Sequence, residues 1–334
     1  MRHLSDKALR RLRIDAQAPD LSGTRYRLLE QVARGGMSIV YAAQDKDLQR
    51  RVALKVLEAP DAAGELADRL MREARVLARL EHPGIVPVHD VGILADGRVF
   101  YAMKFVEGEQ LDEHIESVAS IPDRLRIFLR ICDAVAFAHA GGVLHRDLKP
   151  ANVMVGPFGE VLVMDWGLAK ILSKSSGPDT ITPSPPAVGR AKGTAETPAA
   201  TGHGKVMGTP GYMSPEQARG HVELVDERSD IFSLGALLRF LLTQKPAQRS
   251  PHRIAHALEA ICAKACAEER EARYSSVQDL ARDVSRYLDG LAVAAHRESI
   301  FERLERFYRR YAFFILLIAT YLLVRVILVL FYRH

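Results

Sequence analysis

The stretch "VLHRDLKPANVMV", Val143 to Val155, sets an aspartate, a lysine and an asparagine at fixed offsets in a loop that leads into a strand. Asp147 can accept a proton from a hydroxyl, Lys149 can hold a transferring phosphoryl group, and Asn152 can ligate a metal ion. Thirteen residues beyond Asn152, "MDWG" brings a second carboxylate, Asp165, at the end of an apolar strand. A carboxylate and an amide converging at two strand ends make a magnesium site for a triphosphate. Four polar groups near strand ends are costly to bury without a ligand, so core packing alone is a poor account of them.

Working outward, the chain from Tyr26 to about Phe105 alternates strand-like pieces ("YRLLEQVA", "VALKVLE", "RVFYAMKFV") with turns. One helical pattern, "ELADRLMREARVLARL", interrupts them, which predicts a small, mostly β lobe with a single helix. From Leu111 to Leu288 helical patterns dominate, with short strands at "VMVG" and "VLVMD", which predicts a larger, mostly α lobe. The fold class expected is α+β, in two lobes. Between Ser173 and Thr201 lie nine Ser/Thr, five Pro and three Gly in 29 residues with no aromatic residue, the composition of a flexible functional loop.

Composition sets outer bounds. With 48% hydrophobic and 26% charged residues the chain is neither disordered throughout nor a polytopic membrane protein. A net charge of +5 without a basic, aromatic-laced stripe gives no sign of nucleic acid binding. Cys132, Cys262 and Cys266 all fall in helical patterns, as expected of reduced thiols. Cys262 and Cys266, preceded by His252 and His256 at the same spacing, leave zinc conceivable, but small buried residues on one helix face are the simpler reading.

The beginning, "MRHLSDKALRRLRIDA", is charged and amphipathic and does not read as a signal peptide. The end differs: "YAFFILLIATYLLVRVILVLFY", Tyr311 to Tyr332, holds 22 residues with one charge, Arg325. At about 1.5 Å per residue it is long enough for a bilayer core of roughly 30 Å. Five arginines (Arg297, Arg303, Arg306, Arg309 and Arg310) precede the run and Arg333 follows it, which predicts a cytoplasmic N-terminal part. Arg325 is placed to snorkel to the far interface or to pair within an oligomer. Two residues beyond the run leave no room in this sequence for an external sensor domain.

The loop and "MDWG" together look like the catalytic loop and metal-binding motif of the eukaryotic-type (Hanks-type) Ser/Thr protein kinases found in bacteria. The resemblance covers about Tyr26 to Leu288, with the motifs in the family's order and spacing, so a chance match to all of them is negligible. It implies a two-lobed protein kinase fold, ATP and Mg²⁺ (or Mn²⁺) as cofactors, and protein substrates. Lys55 of "VALKVL" resembles the strand lysine that holds the α- and β-phosphates, and Glu73 its helix partner. Glu65 or Glu81 could pair instead, but Glu73 shares a helical face with Leu70, Val76 and Leu77 and so points inward. "YAMKFVEG" resembles the hinge, with Met103 at the back of the adenine pocket, backbone groups of Lys104 to Val106 reading the adenine edge, and Val40 and Ala53 covering the ring.

Lysine two residues after Asp147 resembles the Ser/Thr-specific branch, which implies serine or threonine hydroxyls as acceptors. "GTPGYMSPEQARG" resembles the substrate-docking segment, with Ser214-Pro215-Glu216 in place of the usual Ala-Pro-Glu. The resemblance implies that Thr209 braces Asp147 and Lys149, that Glu216 pairs with Arg273, and that Asp230 anchors the catalytic loop. Trp166 stands where the family commonly has phenylalanine and is expected to stack between Leu77 and His145. Arg146 resembles the arginine that receives a phosphorylated activation-loop residue, for which Thr197 and Thr201 are the first candidates.

Two departures stand out. Only eleven residues separate Leu242 from Ile254, too few for the loop and helix that commonly follow there and dock partners. Against the family's G-x-G-x-x-G-x-V, "VARGGMSIV" aligns as Ala33, Gly35, Ser38 and Val40, with Gly36 extra. Gly35 and Gly36 supply the closest approach to phosphates, while Ala33 and Ser38 stiffen the lid, so weaker ATP binding is expected rather than its loss.

The expected organisation is a basic amphipathic segment over 1–23 and a kinase domain over 24–290, its lobes meeting near 105–106 and its activation loop at 173–206. A basic juxtamembrane segment (291–310) and a transmembrane helix (311–332) follow. This describes an autophosphorylating kinase at the cytoplasmic face of the inner membrane, anchored in lipid, with a homodimer through the single span compatible and no nucleic acid partner. The alternative is a catalytically weak pseudokinase acting as a membrane scaffold; Lys55, Glu73, Asp147, Asn152 and Asp165, which a scaffold could lose, are all present.

Overall fold

The computed structural model describes residues 18–35, 37–61, 64–166, 170–171, 209–243 and 255–296, with 311, 314–325 and 328 toward the C-terminus. Gly36, Thr197, Thr201, the whole of the 173–206 loop and the short 244–254 connection lie outside the described residues.

Strands β1 (Tyr26–Arg34), β2 (Ser38–Asp45), β3 (Arg50–Leu57), β4 (Val88–Ile93) and β5 (Val99–Lys104) form an antiparallel sheet in the order β1-β2-β3-β5-β4. Side chains alternate between the faces of a strand, and both faces of the central strands are covered here. On β3, Val52, Leu54 and Val56 enter a core that also holds Leu21, Ile39, Tyr41 and Phe100. Ala53 and Leu57 enter the larger core that continues into the helical lobe, and on β5 Val99, Tyr101 and Met103 do the same. Lys55 therefore rises on the face that carries Ala53, Tyr101 and Met103.

Helix α1 (Glu65–Leu77) packs on that face through Leu70, Ala74 and Leu77. Each leucine so buried contributes about 1.5–3 kcal/mol. Its N-terminal residue Gly64 offers no side-chain cap, and Asp61 takes that role by accepting from the Leu66 and Ala67 amides. Glu65 and Asp68 in the first turn and Arg75 in the last complement the helix dipole. The helical pattern in the sequence runs on to Leu80, but the helix ends at Leu77, and Arg79 and Leu80 close in tighter turns on Val76 and Leu77.

The helical lobe contains β6 (Glu109–Gln110), α2 (Leu111–Ser117), α3 (Ile121–Ala140), β7 (Val143–Leu144), β8 (Val153–Val155), β9 (Val161–Val163) and β10 (Lys170–Ile171). Helices α4 (Pro215–Ala218), α5 (Glu227–Thr243), α6 (His256–Ala265) and α7 (Val277–Leu288) complete it. β6, β8 and β9 form one small sheet, β7 and β10 another. A parallel bridge from Ile85 to Val163 joins the segment before β4 to β9, across the lobes. Gly108 is needed where the interlobe segment crosses β8, because a Cβ there would come within 2.4 Å of the Val155 carbonyl oxygen.

Cys132 and Cys262 are buried, and the Cys266 thiol faces the Phe232 carbonyl at 3.6 Å. Burial pushes Cys262 up to about 12 and Cys266 up to about 11, so both stay protonated. Among the described residues no group of three His, Cys, Asp or Glu is arranged to hold a metal, and His252 lies outside them. Past α7 the chain stays docked: buried Asp283 accepts from the Tyr274 hydroxyl and the Ala294 and Ala295 amides, and Val293 is in the core. Residues 314–325 are helical and mostly exposed, and among the described residues no helix is long and apolar enough to cross a membrane.

The helical lobe is tied together by Arg273, whose two Nη groups meet the Glu216 carboxylate end-on at 2.8 and 2.9 Å. It also donates to the carbonyls of Ala267, Arg228 and Glu268. Burial would raise the Glu216 carboxyl, but hydrogen bonds from Arg273 and Ser229 outweigh it and hold it near 2. A carboxylate depressed by folding stabilises the protein above its unfolded value and loses that stabilisation as pH falls toward the folded one. Stability should therefore decline between about pH 4.5 and 2, and in Glu216→Gln this share of the decline should vanish. Arg273→Ala leaves the buried Glu216 carboxylate without its counter-charge and three carbonyls without this donor, and should cost about 3–5 kcal/mol in denaturant melts, with Arg273→Lys recovering little.

Candidate active site

Three buried groups shape the loop that carries Asp147. Asp230, from α5, has no solvent exposure and accepts from the His145 amide (2.9 Å), the Arg146 amide (2.8 Å) and His139 Nε2 (2.8 Å). Burial pushes its carboxyl upward, and the hydrogen bond from His139 leads the interactions that hold it below its ordinary value. Gln217 Nε2 then donates to the Arg146 carbonyl at 2.8 Å. Between these clamps Arg146 is held at φ +71°, a left-handed conformation that costs a non-glycine residue about 1–2 kcal/mol. Below the loop, Trp166 is 1% exposed, its ring 4.6 Å from that of His145 and its indole N–H on the Val163 carbonyl. Leu77 lies in the same core as the indole.

Asp147 sits in a compact polar triangle. Lys149 Nζ donates to Asp147 Oδ2 and to Thr209 Oγ1, both at 2.8 Å, and Thr209 Oγ1 reaches Asp147 Oδ1 at 3.2 Å. Asn152, on the 3₁₀ turn Pro150–Asn152, donates its amide to the Asp147 carbonyl at 2.8 Å. Its side-chain oxygen is then the group left to face a cation.

Across the cleft, the register Val40 to Lys55 and Lys55 to Tyr101 sets three side chains on one face. Lys55 Nζ lies 2.7 Å from Glu73 Oε1 and 2.9 Å from Asp165 Oδ1. Burial works against the lysine's charge, but Glu73 and Asp165 together outweigh it and raise Lys55 above its ordinary value. Asp165 is likewise raised by burial and lowered more by Lys55, His145 and Lys149, so it stays ionised. Its φ of +56° lifts the carboxylate out of the line of β9, and half of its side chain remains exposed. Of the other acids weighed as partners for Lys55, neither Glu65 nor Glu81 pairs with it.

Ala53 and Met103 are paired across β3 and β5 and nearly buried, Val106 follows at 9% exposure, and Val40 packs beside them. Lys104 is exposed, its amide bonded to Pro87, while Ala33 is exposed opposite Val40. At the β1–β2 turn the Gly35 amide donates to the Ser38 carbonyl at 2.8 Å, and Ser38 itself is buried. The structure thus gathers Lys55, Glu73 and Asp165 in one cluster and Asp147, Lys149, Asn152 and Thr209 in another. Glu216, Arg273 and Asp230 support the loop from beneath.

Sequence reasoning missed Tyr101, which donates to Glu73 at 2.8 Å, and also Gln217, His139 and Ser229. For Gln217 a local signal exists, since Ser214 and Gln217 form a capping box at the start of α4.

The oxygen donors of Asp165 and Asn152 are hard, and Asp165 is half exposed, which fits Mg²⁺, and the cation of Lys55 beside them fits a polyphosphate. Asp230→Ala leaves the buried His145 and Arg146 amides without acceptors. It should cost about 2–5 kcal/mol in denaturant melts and speed hydrogen exchange at those two amides.

The comparisons agree with this geometry. The family model described as "Protein kinase domain" matches residues 26–298. Serine/threonine-protein kinase PknD of Protochlamydia amoebophila is 33% identical over 307 residues, covering 79% of this chain and 30% of that protein. PknD of Chlamydia trachomatis serovar D is 37% identical over 302 residues, covering 80% and 32%. The chain spans about a third of the length of these curated relatives. The crystal structure of the Mycobacterium tuberculosis PknI kinase domain superposes with a TM-score of 0.55 at 26% identity, covering 78% of this chain and 95% of that one. With two lobes, a strand lysine paired with a helix carboxylate, and a match over most of its length, the chain belongs to the protein kinase domain family.

Proposed function

We propose that the chain is a serine/threonine protein kinase that transfers the ATP γ-phosphoryl group to Ser/Thr hydroxyls of proteins. The observation that carries this reading is the triangle of Lys149, Asp147 and Thr209, set beside a Lys55 cation held by two carboxylates. Bound Mg²⁺-ATP supplies the phosphoryl group and the divalent charge that offsets its oxygens. Asn152 and Asp165 are the residues to hold the metal, and Lys55 the one to hold the α- and β-phosphates.

Asp147 orients an incoming hydroxyl and accepts its proton. Lys149 keeps that carboxylate in place and offers its ammonium to the charge that develops during transfer. Thr209 reads both, which couples the substrate-docking segment to the catalytic carboxylate. Val40, Ala53 and Met103 offer an apolar slot for adenine, with backbone groups of Lys104 to Val106 at its edge. The serine/threonine assignment is supported by the lysine at 149 and by the PknD relatives.

Regulation by phosphorylation is part of the same reading. Burial, and the charge of Arg69 on α1, lower the Arg146 guanidinium from its ordinary value, while Asp230 opposes them. A phosphate on the loop, with Thr197 or Thr201 as the acceptor, would relieve that repulsion and draw α1 and the catalytic loop together. For the C-terminal run we assign an inner-membrane anchor that leaves the kinase domain in the cytoplasm. In support, Leu316, Leu322 and Leu323 are more than half exposed on the described helical piece.

Full-length protein in detergent, given Mg-ATP and a generic basic protein, should incorporate phosphate on serine and threonine. Asp147→Asn should lower the rate by about 10²–10⁴. Labelling no greater than in that variant would replace the enzyme by a scaffold. Deleting 311–334 should move the protein from the membrane fraction to the supernatant, and unchanged partitioning would remove the anchor from the reading.

A further inference from the structure

On the face of the sheet that carries Lys55, one buried side chain has polar chemistry to which the phosphotransfer reading assigns no task. Tyr101 is 2% exposed, and its hydroxyl donates to Glu73 Oε1 at 2.8 Å. The same oxygen accepts from Lys55 Nζ at 2.7 Å. Lys55 and Tyr101 are direct cross-strand partners on β3 and β5, so two neighbouring side chains converge on one oxygen of α1. The Lys55 ammonium also lies 5.9 Å from the centre of the Tyr101 ring.

We propose that Tyr101 is a positioning residue: its hydroxyl latches Glu73, and with it helix α1, against the sheet, so that Lys55 stays aimed into the nucleotide cleft. This deepens the kinase reading and rests on it.

The two donors to Glu73 are not equivalent. Lys55 is shared with Asp165 at 2.9 Å, and in the kinase reading a polyphosphate would compete for it as well. Among the described residues Tyr101 donates to Glu73 alone. When Lys55 turns toward phosphate, the phenol keeps a carboxylate that is 5% exposed from losing all its partners. Leu70, Ala74 and Leu77 also attach α1 to the sheet, and apolar contacts are non-directional. A hydrogen bond from a rigid strand supplies the direction they lack.

The phenol is also a durable donor. Burial, and then the negative charge of Glu73, push it well above its ordinary value, so it keeps its proton at neutral pH. Val99 and Met103, the neighbours of Tyr101 on the same face of β5, are purely apolar. Packing alone gives no reason for a hydroxyl between them.

Tyr101→Phe keeps the ring and removes the latch. Full-length wild type, Tyr101→Phe, Glu73→Ala and the double variant would be compared by three measurements: the Mg-ATP dissociation constant by calorimetry, kcat, and hydrogen exchange of the residue 65–77 amides without nucleotide. Tyr101→Phe should weaken Mg-ATP binding about ten-fold, with kcat at saturation within about three-fold, because a helix latched less often must be drawn in by the ligand. Exchange in α1 should accelerate while α5 and α7 stay unchanged. In the Glu73→Ala background the same substitution should change binding by less than about two-fold, since the two groups act as one unit.

Binding and exchange unchanged in Tyr101→Phe, or a loss of the same size with Glu73 absent, would overturn the proposal. If wild type labels no better than Asp147→Asn, the kinase reading fails instead, and the exchange measurement alone decides the latch.

Discussion

A carboxylate withdrawn from water has to be surrounded by donors, and Asp230 is surrounded by backbone amides from the loop it serves. It spends two of its acceptor positions on His145 and Arg146, and the third on His139. Those bonds bend the chain before Asp147, hold Arg146 in a left-handed turn and so decide where the Asp147 carboxylate points. Helix α5, which carries Asp230, is buried along most of its length, so the loop inherits the rigidity of the core. The Glu216–Arg273 pair and the bond from Gln217 to Arg146 bring the docking segment onto the same support.

The second constraint works across the cleft. Strand alternation sends Lys55, Ala53, Tyr101 and Met103 to one face, where α1 brings Glu73 to meet the lysine. Asp165 reaches the same ammonium from the other lobe. The site is therefore closed by opposite charges drawn from a strand, a helix and a loop that are 110 residues apart at the extreme. Burial works against the charge of Lys55, and the two carboxylates beside it outweigh that penalty. Seen this way, Tyr101 belongs to the cluster although it bears no charge.

Much of this was legible in the chain. The offsets among Asp147, Lys149 and Asn152 are local, because one short loop holds all three, and their chemistry follows from residue type. The strand pieces and the single helix of the small lobe were visible in the hydrophobic pattern, although the helix stops at Leu77 where the pattern runs to Leu80. There the apolar period continues into turns that also bury Leu80, and periodicity cannot separate the two. Tyr101 looked like one more aromatic residue in a strand. Its partner lies 28 residues away on a helix, and only the packing of α1 against the sheet makes them meet.

By itself, the sequence determined which chemical groups are present, in what order, and on which face of their own strand or helix they fall. Those properties depend on bond geometry and on periods of 2 and 3.6 residues, which act over a few positions. Tertiary structure alone decided that Asp165 shares Lys55 with Glu73, and that Gln217 and His139 hold the loop. Such meetings depend on how sheet, helix and core pack together. A buried polar group accepts whichever partner the packed chain brings within about 3 Å.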